Sequence, residues 1–370
     1  MKKQRSLAIR LFWGFLVVLI LALLAFVSAE TDAFVASLGG VHVGPVVFAV
    51  LLAILVAVQI ARRAAHFTPL GRRIIRVGGR IGAFVFYFIL ALAIARLLAL
   101  ALPDHPQALY LAALFAALAA TGIGILRAQT ELVTVHYDLT LCADGAPYKL
   151  VLASDLHLGS CVDIRALGRI ARAINAENPD MVILAGDIFN DGRVDECEDP
   201  DAFADIFRAL HAPDGIFAVV GNHDPLATDA LMRDFFERAG ITLLFNDIYQ
   251  HPRFDLLGRN DLFHIALPRP ALREIHREDP ARPLIVIDHN PAGIPEAVGA
   301  GADLVLCGHT HRGQFFPLNL FTRLASPKDG FYGHATIGQT HIVVSAGAGY
   351  FWMPLRLGSS NEIVSITLRV

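Results

Sequence analysis

Residues 149–157 read KLVLASDLH, and this stretch indicates an α/β fold with chemistry at its strand ends. Residues 150–153 form an apolar run, which suits a strand covered on both faces of a sheet. Asp155 and His157 follow at once, where an open α/β sheet presents its binding crevice. Because carboxylates and imidazoles bind divalent metals, the stretch predicts a strand with metal ligands at its carboxyl end.

Four further segments repeat the pattern of an apolar run followed by ligand-type residues. They read GD, GNHD, DHN and GHTH, at residues 186–187, 221–224, 288–290 and 308–311. One D-x-H or H-x-H pair alone is a weak signal, whereas five such segments in one chain indicate a shared site. Asp, Asn and His suit two divalent cations held close together, as in a dinuclear phosphoesterase site.

The composition divides the chain into an apolar N-terminal part and an ordinary soluble part. Apolar residues make up 55% of the 370 and charged residues 18%, which is more apolar than an average soluble protein. The excess lies in residues 1–127, while residues 128–370 look like a soluble α/β domain. The net charge of −3 without a basic stripe argues against nucleic-acid binding. Four widely spaced cysteines predict free thiols in a reducing compartment.

Four apolar segments in the N-terminal part are long enough, or nearly so, to cross a membrane as helices. These predicted spans are about 8–28, 43–60, 81–102 and 107–126. A basic N-terminus and six arginines in the predicted loop 61–80 contrast with acidic links at 29–42 and 103–106. The positive-inside rule therefore predicts a multi-pass anchor with residues 128–370 on the cytoplasmic side.

Two features of these spans leave alternatives open. Residues 27–29 resemble a signal-peptidase site with cleavage after Ala29, but the preceding apolar stretch is long for a signal peptide, which favours an uncleaved anchor. Arg96 lies inside the third span, where a charge can mark a function or can reach the interface through its long side chain. We expect Arg96 to reach the outer interface, and an anchor is favoured over a conduit.

After residue 127, short apolar runs alternate with amphipathic stretches. The predicted helices are 163–176, 201–211, 228–239 and 270–276. The predicted strands are 133–141, 148–154, 181–185, 216–220, 242–245, 254–257, 262–267, 284–287, 303–307, 341–345 and 362–369. The later strands lack intervening helices, which predicts a second, more antiparallel sheet. The fold class is therefore an α/β layered sandwich preceded by about four transmembrane helices.

These motifs resemble the calcineurin-like metallophosphoesterase superfamily, in its membrane-anchored bacterial branch. The resemblance covers about residues 135–370 and includes GRND at 258–261, HNP at 289–291, GHTHRGQ at 308–314, Arg356 and Glu362. It implies an αββα sandwich that hydrolyses a phosphodiester or pyrophosphate bond with two divalent metals (Mn, Fe or Zn). The branch includes UDP-diacylglucosamine hydrolases, so a lipid-linked substrate at the bacterial inner membrane is one expectation.

The resemblance also assigns the metal ligands and the catalytic residues. One ion is implied to bind Asp155, His157, Asp187 and His311, and the other to bind Asp187, Asn222, His289 and His309. Independently of the family, two cations that share a carboxylate lower the pKa of a bridging water and stabilise an in-line phosphoryl transition state. His223 is implied to bind phosphate and protonate the leaving oxygen, with Asp224 orienting its imidazole.

Several features leave the substrate open. Asn190 stands where many relatives have Asp, at a position that usually supports the site without binding metal. Arg312 is either a grip for a second phosphate or an ordinary exposed arginine. The apolar stretches 315–321 and 350–355 form either a lipid-facing rim or packed loops. The alternatives to a lipid-linked substrate are a broad phosphatase or cyclic-nucleotide phosphodiesterase merely tethered to the membrane, and a scaffold that has lost catalysis.

Overall fold

The computed structural model describes residues 2–64 and 68–370, and for residues 2–12 the backbone alone. Within these ranges the chain begins with four long helices. They are α1 (Lys2–Ser37), α2 (Gly44–Arg62), α3 (Pro69–Ala99) and α4 (Pro106–Thr130). All four are long and apolar enough to cross a membrane, judged by length and composition. They correspond to the four predicted spans, while Met1 of the predicted basic N-terminus lies outside the described residues.

The helices extend further than the apolar pattern predicted. Helix α1 runs through Ala29 and takes in Glu30 and Asp32, which were predicted to lie in a link. Most of the predicted loop 61–80 is helical because α3 begins at Pro69, and residues 65–67 lie outside the described residues. Apolar composition marks only the lipid-length part of a helix, whereas its ends follow stop and start residues such as glycine and proline.

Polar contacts link these helices, among them those made by the carboxylates of Asp32 and Glu30. The Asp32 carboxylate accepts hydrogen bonds from the backbone N–H groups of Val43 at 2.6 Å and Gly44 at 2.8 Å, and so caps the start of α2. The guanidinium of Arg96 donates to the carboxylate of Glu30 at 2.7 Å. Arg96 therefore has an acidic partner on α1, and its predicted reach to the outer interface stays a prediction.

The rest of the chain forms two six-stranded sheets and five shorter helices. The strands are β1 (Val133–Thr140), β2 (Pro147–Ala153), β3 (Met181–Ala185), β4 (Ile216–Val219), β5 (Ile241–Leu243), β6 (Asp247–Gln250), β7 (Asp255–Gly258), β8 (Leu284–Ile287), β9 (Leu304–Cys307), β10 (Gly333–Ile337), β11 (Thr340–Val344) and β12 (Glu362–Arg369). The helices are α5 (Ile164–Ala176), α6 (Pro200–Arg208), α7 (Ala230–Ala239), α8 (Ile294–Gly299) and α9 (Leu318–Ala325). The strand orders are β1-β12-β2-β3-β4-β5 and β10-β11-β9-β8-β7-β6.

Three apolar layers hold this αββα sandwich together. The first joins α5, α6 and α7 to the outer face of the first sheet, with Ile170 and Phe203 in its centre. The second lies between the sheets, where Ile183 of β3 and Ile285 of β8 belong to one buried cluster. The third packs α8 on the second sheet through Ala297. The predicted layered fold is confirmed, and β3 is buried along its whole length, as expected for a strand covered on both faces.

Several predicted elements were wrong. The predicted strand 262–267 is a loop, and the predicted helix 270–276 shrinks to the 3-10 turn Leu272–Glu274. Strands β6 and β10 went unpredicted because they are short, polar edge strands without a continuous apolar run. Each pairs antiparallel with its neighbour, whereas the first sheet has one antiparallel pair, β12 with β2. The second sheet is therefore the more antiparallel of the two, as predicted.

Candidate dinuclear metal site

The predicted ligand side chains meet where strands of both sheets end. Strands β2, β3 and β4 are parallel neighbours, as are β8 and β9, so their carboxyl ends lie at the same edge of each sheet. Two groups of three side chains each bring ligand atoms within 4.8 Å of one another. The first group is Asp155, His157 and His311, and the second group is Asp187, His289 and His309.

The backbone at these ligands is left-handed in five of the six residues. The φ angles are 52° at Asp155, 48° at His157, 51° at Asp187, 72° at His309 and 49° at His311. Residues other than glycine rarely adopt this conformation, at a cost of order 1–3 kcal/mol each, and such strain clusters at functional sites. The packed strands therefore hold the loops in a conformation that aims several side chains at one place.

The glycines before the ligands are required mainly by close approach. A Cβ on Gly221 would lie 2.3 Å from Oδ1 of Asp187, and one on Gly308 would lie 2.5 Å from Oδ2 of Asp155. Only Gly186 of the three also has a positive φ, of 84°. At Gly221 and Gly308 a side chain is excluded because a carboxylate of the site fills the space that its Cβ would need.

The first group is buried and its ligand atoms converge. Nε2 of His157 lies 3.0 Å from Nε2 of His311, which in turn lies 3.3 Å from Oδ1 of Asp155. Burial lowers the pKa of His157 to about 3 and holds the pKa of His311 well below its usual value. Burial also raises the pKa of Asp155 to about 6. Both imidazoles are thus neutral at pH 7, with nitrogen lone pairs available for a cation.

The second group contains a carboxylate between imidazoles. Burial opposes the ionisation of Asp187, but the positive charge of His289, whose own pKa Asp187 raises well above its usual value, is the largest of the effects that lower the Asp187 pKa. Oδ2 of Asp187 lies 3.3 Å from Nε2 of His289 and 3.8 Å from Nε2 of His157. One carboxylate oxygen is therefore near ligand nitrogens of both groups, which is the placement expected of a bridging ligand.

The donor atoms of both groups fit divalent cations. Metal–ligand bonds of about 2.1 Å at right angles place neighbouring ligand atoms about 3.0 Å apart, which matches the observed 3.0 and 3.3 Å. Nδ1 of His289 contacts the backbone carbonyl of Ala185 at 2.7 Å, so its Nε2 is left to face the site. That Nε2 is buried and has no well-aligned hydrogen-bond partner in the structure. A metal-binding histidine shows this arrangement, with its second nitrogen on a carbonyl.

Asn222, the seventh predicted ligand, lies beside the second group. Its Oδ1 contacts Nδ1 of His309 at 2.7 Å. Burial, followed by the nearby His289, lowers the pKa of His309 to about 4. The backbone N–H of His309 also lies 3.1 Å from both carboxylate oxygens of Asp155. The two groups are thus joined by hydrogen bonds as well as by Asp187.

His223 faces the site, but Asp224 does not orient it as predicted. The backbone N–H of His223 donates to Oδ1 of Asp187 at 2.7 Å, and its half-buried ring packs against Phe351 at 4.3 Å between centroids. The carboxylate of Asp224 instead accepts the backbone N–H groups of Phe189 at 2.7 Å and Gly221 at 2.8 Å. Asp224 therefore shapes the loop that carries His223, because its oxygens point to the backbone.

Two buried polar residues support the site in ways that the sequence did not predict. Arg356 is fully buried and donates to the backbone carbonyl groups of His311 at 3.0 Å, Ala346 at 2.9 Å and Gly349 at 2.5 Å. Burial lowers the pKa of Arg356 to about 10, so it remains charged at neutral pH. It thereby fixes the loop of a predicted metal ligand to the segment that precedes β12.

Gln314 fixes the second of the two apolar stretches. Its side-chain amide donates to the carbonyl groups of Phe351 at 3.0 Å and Met353 at 2.9 Å, and its Oε1 accepts the N–H of Phe351 at 2.8 Å. Phe351 is thereby held over His223. Both Gln314 and Arg356 belong to the motifs quoted from the sequence, but their polar side chains gave no signal of which loops they would join.

Other sequence predictions are resolved by this geometry. Asn190 is buried and donates to the Glu196 carboxylate at 3.1 and 3.2 Å, so it supports a neighbouring loop, as expected. The loop at the predicted strand 262–267 borders the site, where the exposed ring of Phe263 lies 6.0 Å from that of His309. The four cysteines are free, as predicted, and three of them are buried.

Comparisons with known proteins agree with this geometry. The profile described as "Calcineurin-like phosphoesterase" matches residues 148–313. Phosphodiesterase YaeI of Escherichia coli is 30% identical over 234 residues, which cover 61% of this chain and 83% of YaeI. An uncharacterized metallophosphoesterase of Helicobacter pylori is 31% identical over 227 residues, covering 60% of this chain and 59% of that protein.

A vertebrate relative is named as a transmembrane protein. The "Transmembrane protein with metallophosphoesterase domain" of Danio rerio is 32% identical over 242 residues, which cover 60% of this chain and 53% of the relative. The matched part thus spans little more than half the length of the Helicobacter pylori and Danio rerio proteins. YaeI is matched over most of its length.

Proposed function

Because the chain belongs to the calcineurin-like metallophosphoesterase family, we propose that it is a metal-dependent phosphohydrolase that cleaves a phosphodiester or pyrophosphate bond. The observation that carries this proposal is the position of Oδ2 of Asp187, within 3.8 Å of His157 and 3.3 Å of His289. Two divalent cations bound there would lower the pKa of a water and offset the charge of the phosphoryl oxygens. Manganese, iron and zinc all suit this ligand set.

The proposed ligand sets are those implied by the sequence. Asp155, His157, Asp187 and His311 would hold one cation, and Asp187, Asn222, His289 and His309 the other. The geometry supports these sets because histidine and asparagine side chains, which carry no charge when they bind a cation, outnumber carboxylates, and this limits the negative charge that a phosphate ester meets on approach. The site has two carboxylates in total, those of Asp155 and Asp187.

His223 is the proposed group that meets the substrate phosphate and protonates the leaving oxygen. Its ring is half-buried, and its backbone is tied to Asp187. In the described part of the chain, its ring nitrogens have no protein partner, so they are available to a ligand. A half-exposed imidazole beside the metal ligands can bind an anion when protonated and donate that proton to a leaving group.

We also propose that helices α1 to α4 anchor the enzyme in the bacterial inner membrane with residues 128–370 in the cytoplasm. The four long apolar helices support insertion into a membrane. The position of the arginines supports the proposed orientation. The proposed division at residue 127 falls within α4, close to the boundary between compact units at residues 123 and 124. An enzyme held at the membrane has ready access to lipid-linked phosphates, so these are the proposed substrate class.

A substrate panel tests the reaction class. The full chain in detergent, supplied with Mn²⁺, should hydrolyse bis(p-nitrophenyl) phosphate or a pyrophosphate diester such as UDP-diacylglucosamine. Asp187→Asn should lower turnover at least 100-fold, because the shared ligand loses its charge. Asp163→Asn is a matched control, since Asp163 is an exposed N-cap and Asn also caps helices well. No turnover of any phosphate ester by the metal-loaded wild type would refute the proposal.

The second candidate is a phosphodiesterase for soluble substrates that is merely tethered to the membrane. The similarity to YaeI, which is named as a phosphodiesterase, favours it. The two candidates differ in how turnover depends on acyl chains. An enzyme for lipid-linked phosphates should have a lower KM for an acylated diester than for its deacylated counterpart, whereas a tethered general diesterase should treat both alike.

A further inference from the structure

A cleft of about 570 Å³ lies beside the loop that carries His311, and its walls combine cations with apolar side chains. The cations are Arg312, Arg323 and Lys328. Its apolar wall is made by Leu320, Leu324 and Phe331. Among the residues that the structure describes, no Asp or Glu lines the cleft. The lining therefore favours a ligand with both a negative charge and a hydrocarbon part.

The three cations are available to such a ligand. Arg323 and Lys328 are exposed, and within the described part of the chain neither forms an ion pair. The guanidinium of Arg312 stacks 4.3 Å from the ring centroid of Tyr332, which orients it while leaving its N–H groups unused by that contact. The nearby Glu362 already accepts the Tyr332 hydroxyl at 2.8 Å and the N–H of Ala346 at 2.9 Å.

The cleft is fixed to the candidate metal site by close backbone packing. Gly313 follows Arg312, and a Cβ there would lie 2.2 Å from Cα of Asn319 in α9. The N–H of Asn319 also donates to the carbonyl of Phe315 at 3.0 Å. Because α9 starts directly against the loop of a proposed metal ligand, a molecule in the cleft would be held close to the reacting phosphate.

Helix α9 continues the apolar wall onto the surface. None of its residues is buried, and Leu320 is 51% and Leu324 85% exposed. An exposed apolar helix face beside basic side chains is typical of surfaces that contact anionic lipids. An ordinary phosphate site would not need this hydrocarbon surface, so the combination points to an amphiphile.

We propose that this cleft is an accessory subsite for a phosphate group that carries acyl chains. Arg312, Arg323 and Lys328 bind the phosphate, and the apolar wall with α9 receives the chain. Guanidinium groups suit this role because they offer several N–H donors in a planar fork. The inference rests on the proposed function, and it names the lipid-linked phosphate as the substrate class that the site selects.

Binding to the metal-free full chain tests the subsite apart from catalysis. The EDTA-treated protein in a nonionic detergent is titrated calorimetrically with dihexanoyl phosphatidic acid, dihexanoyl phosphatidylcholine and inorganic phosphate. Phosphatidic acid should bind more tightly than the other two probes. In the double variant R323A/K328A its affinity should fall about tenfold or more, since two charge-assisted contacts are lost.

Two further variants separate charge from hydrocarbon contact. L320N/L324N should weaken phosphatidic acid and leave inorganic phosphate unchanged. R165A/R273A removes two exposed arginines elsewhere and should change neither, which controls for net charge. Equal binding of phosphatidic acid by the wild type and R323A/K328A would overturn the subsite. Inorganic phosphate as tight as phosphatidic acid, or phosphatidylcholine as tight, would overturn the amphiphile assignment.

A kinetic arm keeps the two proposals distinguishable. With Mn²⁺ bound, R323A/K328A should raise KM for an acylated diester about tenfold, whereas R165A/R273A should leave that KM at the wild-type value. If the wild type hydrolyses esters but the variant shows no selective rise in KM, the subsite fails and the enzyme proposal stands. If no ester is hydrolysed although phosphatidic acid binds as described, the enzyme proposal fails.

Discussion

The two apolar stretches that follow the last metal ligands resemble each other in sequence but differ in the structure. Residues 350–355 are fixed to the site by the buried side chains of Gln314 and Arg356. Residues 315–321 begin with the buried Phe315 but lead into α9, which has no buried residue. Each stretch contains three aromatic residues, so aromatic content did not distinguish them. Polar side chains form hydrogen bonds with backbone groups in and beside residues 350–355. The helix α9 lies exposed.

The largest expected effect comes from Arg356, which holds the buried stretch. Arg356→Ala would leave the carbonyl groups of His311, Ala346 and Gly349 without their donor in a buried setting. We expect a loss of about 3 kcal/mol or more, equivalent to a fall of roughly 6–12 °C in the unfolding midpoint of a domain of this size. Fluorescence of Trp352 in a Trp13→Phe background reports the unfolding of this region.

Arg356→Lys is the matched control, because it keeps the charge but loses the planar fork. Its midpoint should lie between those of the wild type and Arg356→Ala. An unchanged midpoint in Arg356→Ala would show that apolar contacts alone hold residues 350–355. The hydrogen bonds of Arg356 would then not explain why this stretch is fixed while α9 is exposed.

Gln314 should give the next largest effect. Gln314→Leu removes three hydrogen bonds to Phe351 and Met353, so we expect about 2 kcal/mol of destabilisation and a shift of Trp352 emission to longer wavelength. Leu324→Gln, on the exposed α9, should leave the Trp352 emission unchanged. If both variants shift the emission equally, the two stretches are coupled, and α9 is not independent of residues 350–355.

A smaller effect is expected from Phe351, whose ring packs on His223 at 4.3 Å. Phe351→Ala should lower kcat on soluble and acylated diesters alike by about tenfold, because His223 loses the surface that orients it. Leu231→Ala, which changes a 62% exposed side chain on α7, should have wild-type kinetics. A loss confined to acylated diesters would instead make Phe351 part of the lipid contact.

Acid should weaken metal binding, because a buried carboxyl group of the site titrates near pH 6. Burial raises the pKa of Asp155 from 3.8 to about 6. In the metal-free protein, its contribution to stability is therefore full below about pH 4 and is lost as the pH rises through about 6. Metal binding needs the ionised form, so Mn²⁺ affinity should fall about tenfold per pH unit below pH 6.

Calorimetric titration with Mn²⁺ from pH 5 to pH 8 checks this expectation. His157 and His309, with pKa values lowered to about 3 and about 4, should stay neutral across that range and add no further slope. A steeper loss, of two protons, would mean that His289 also releases a proton on metal binding, because burial is outweighed by the charge of Asp187, which raises the pKa of His289 well above its usual value.

Much of the site could be predicted from sequence because strand ends carry a local signal. Each apolar run of four or five residues fixed a buried strand, and the polar residues directly after it had to lie at the sheet edge. Asp155, Asp187 and His289 were therefore expected to lie close together, without any knowledge of long-range contacts. The layered fold followed from the same runs, since strands buried on both faces need covering layers.

The parts that failed depend on long-range partners. Asp224 was expected to orient His223, but two backbone N–H groups of the neighbouring loops claim its oxygens. Residues 262–267 have the apolar content of a strand, but no neighbouring strand is placed to pair with them within the described sheets. The edge strand β6 carries only a short apolar signal, because Ile248 and Tyr249 lie between two polar residues. Each of these outcomes depends on which residues contact the segment in the folded chain, and these contacts cannot be read from the local sequence.

In the proposed site, one carboxylate, that of Asp187, joins two cations. The most direct test is the metal content of the full chain, measured by plasma mass spectrometry after Mn²⁺ loading and desalting, for the wild type and Asp187→Asn. We predict two ions per wild-type chain, and one or fewer in the variant together with loss of turnover. Two ions and undiminished turnover in Asp187→Asn would contradict the account.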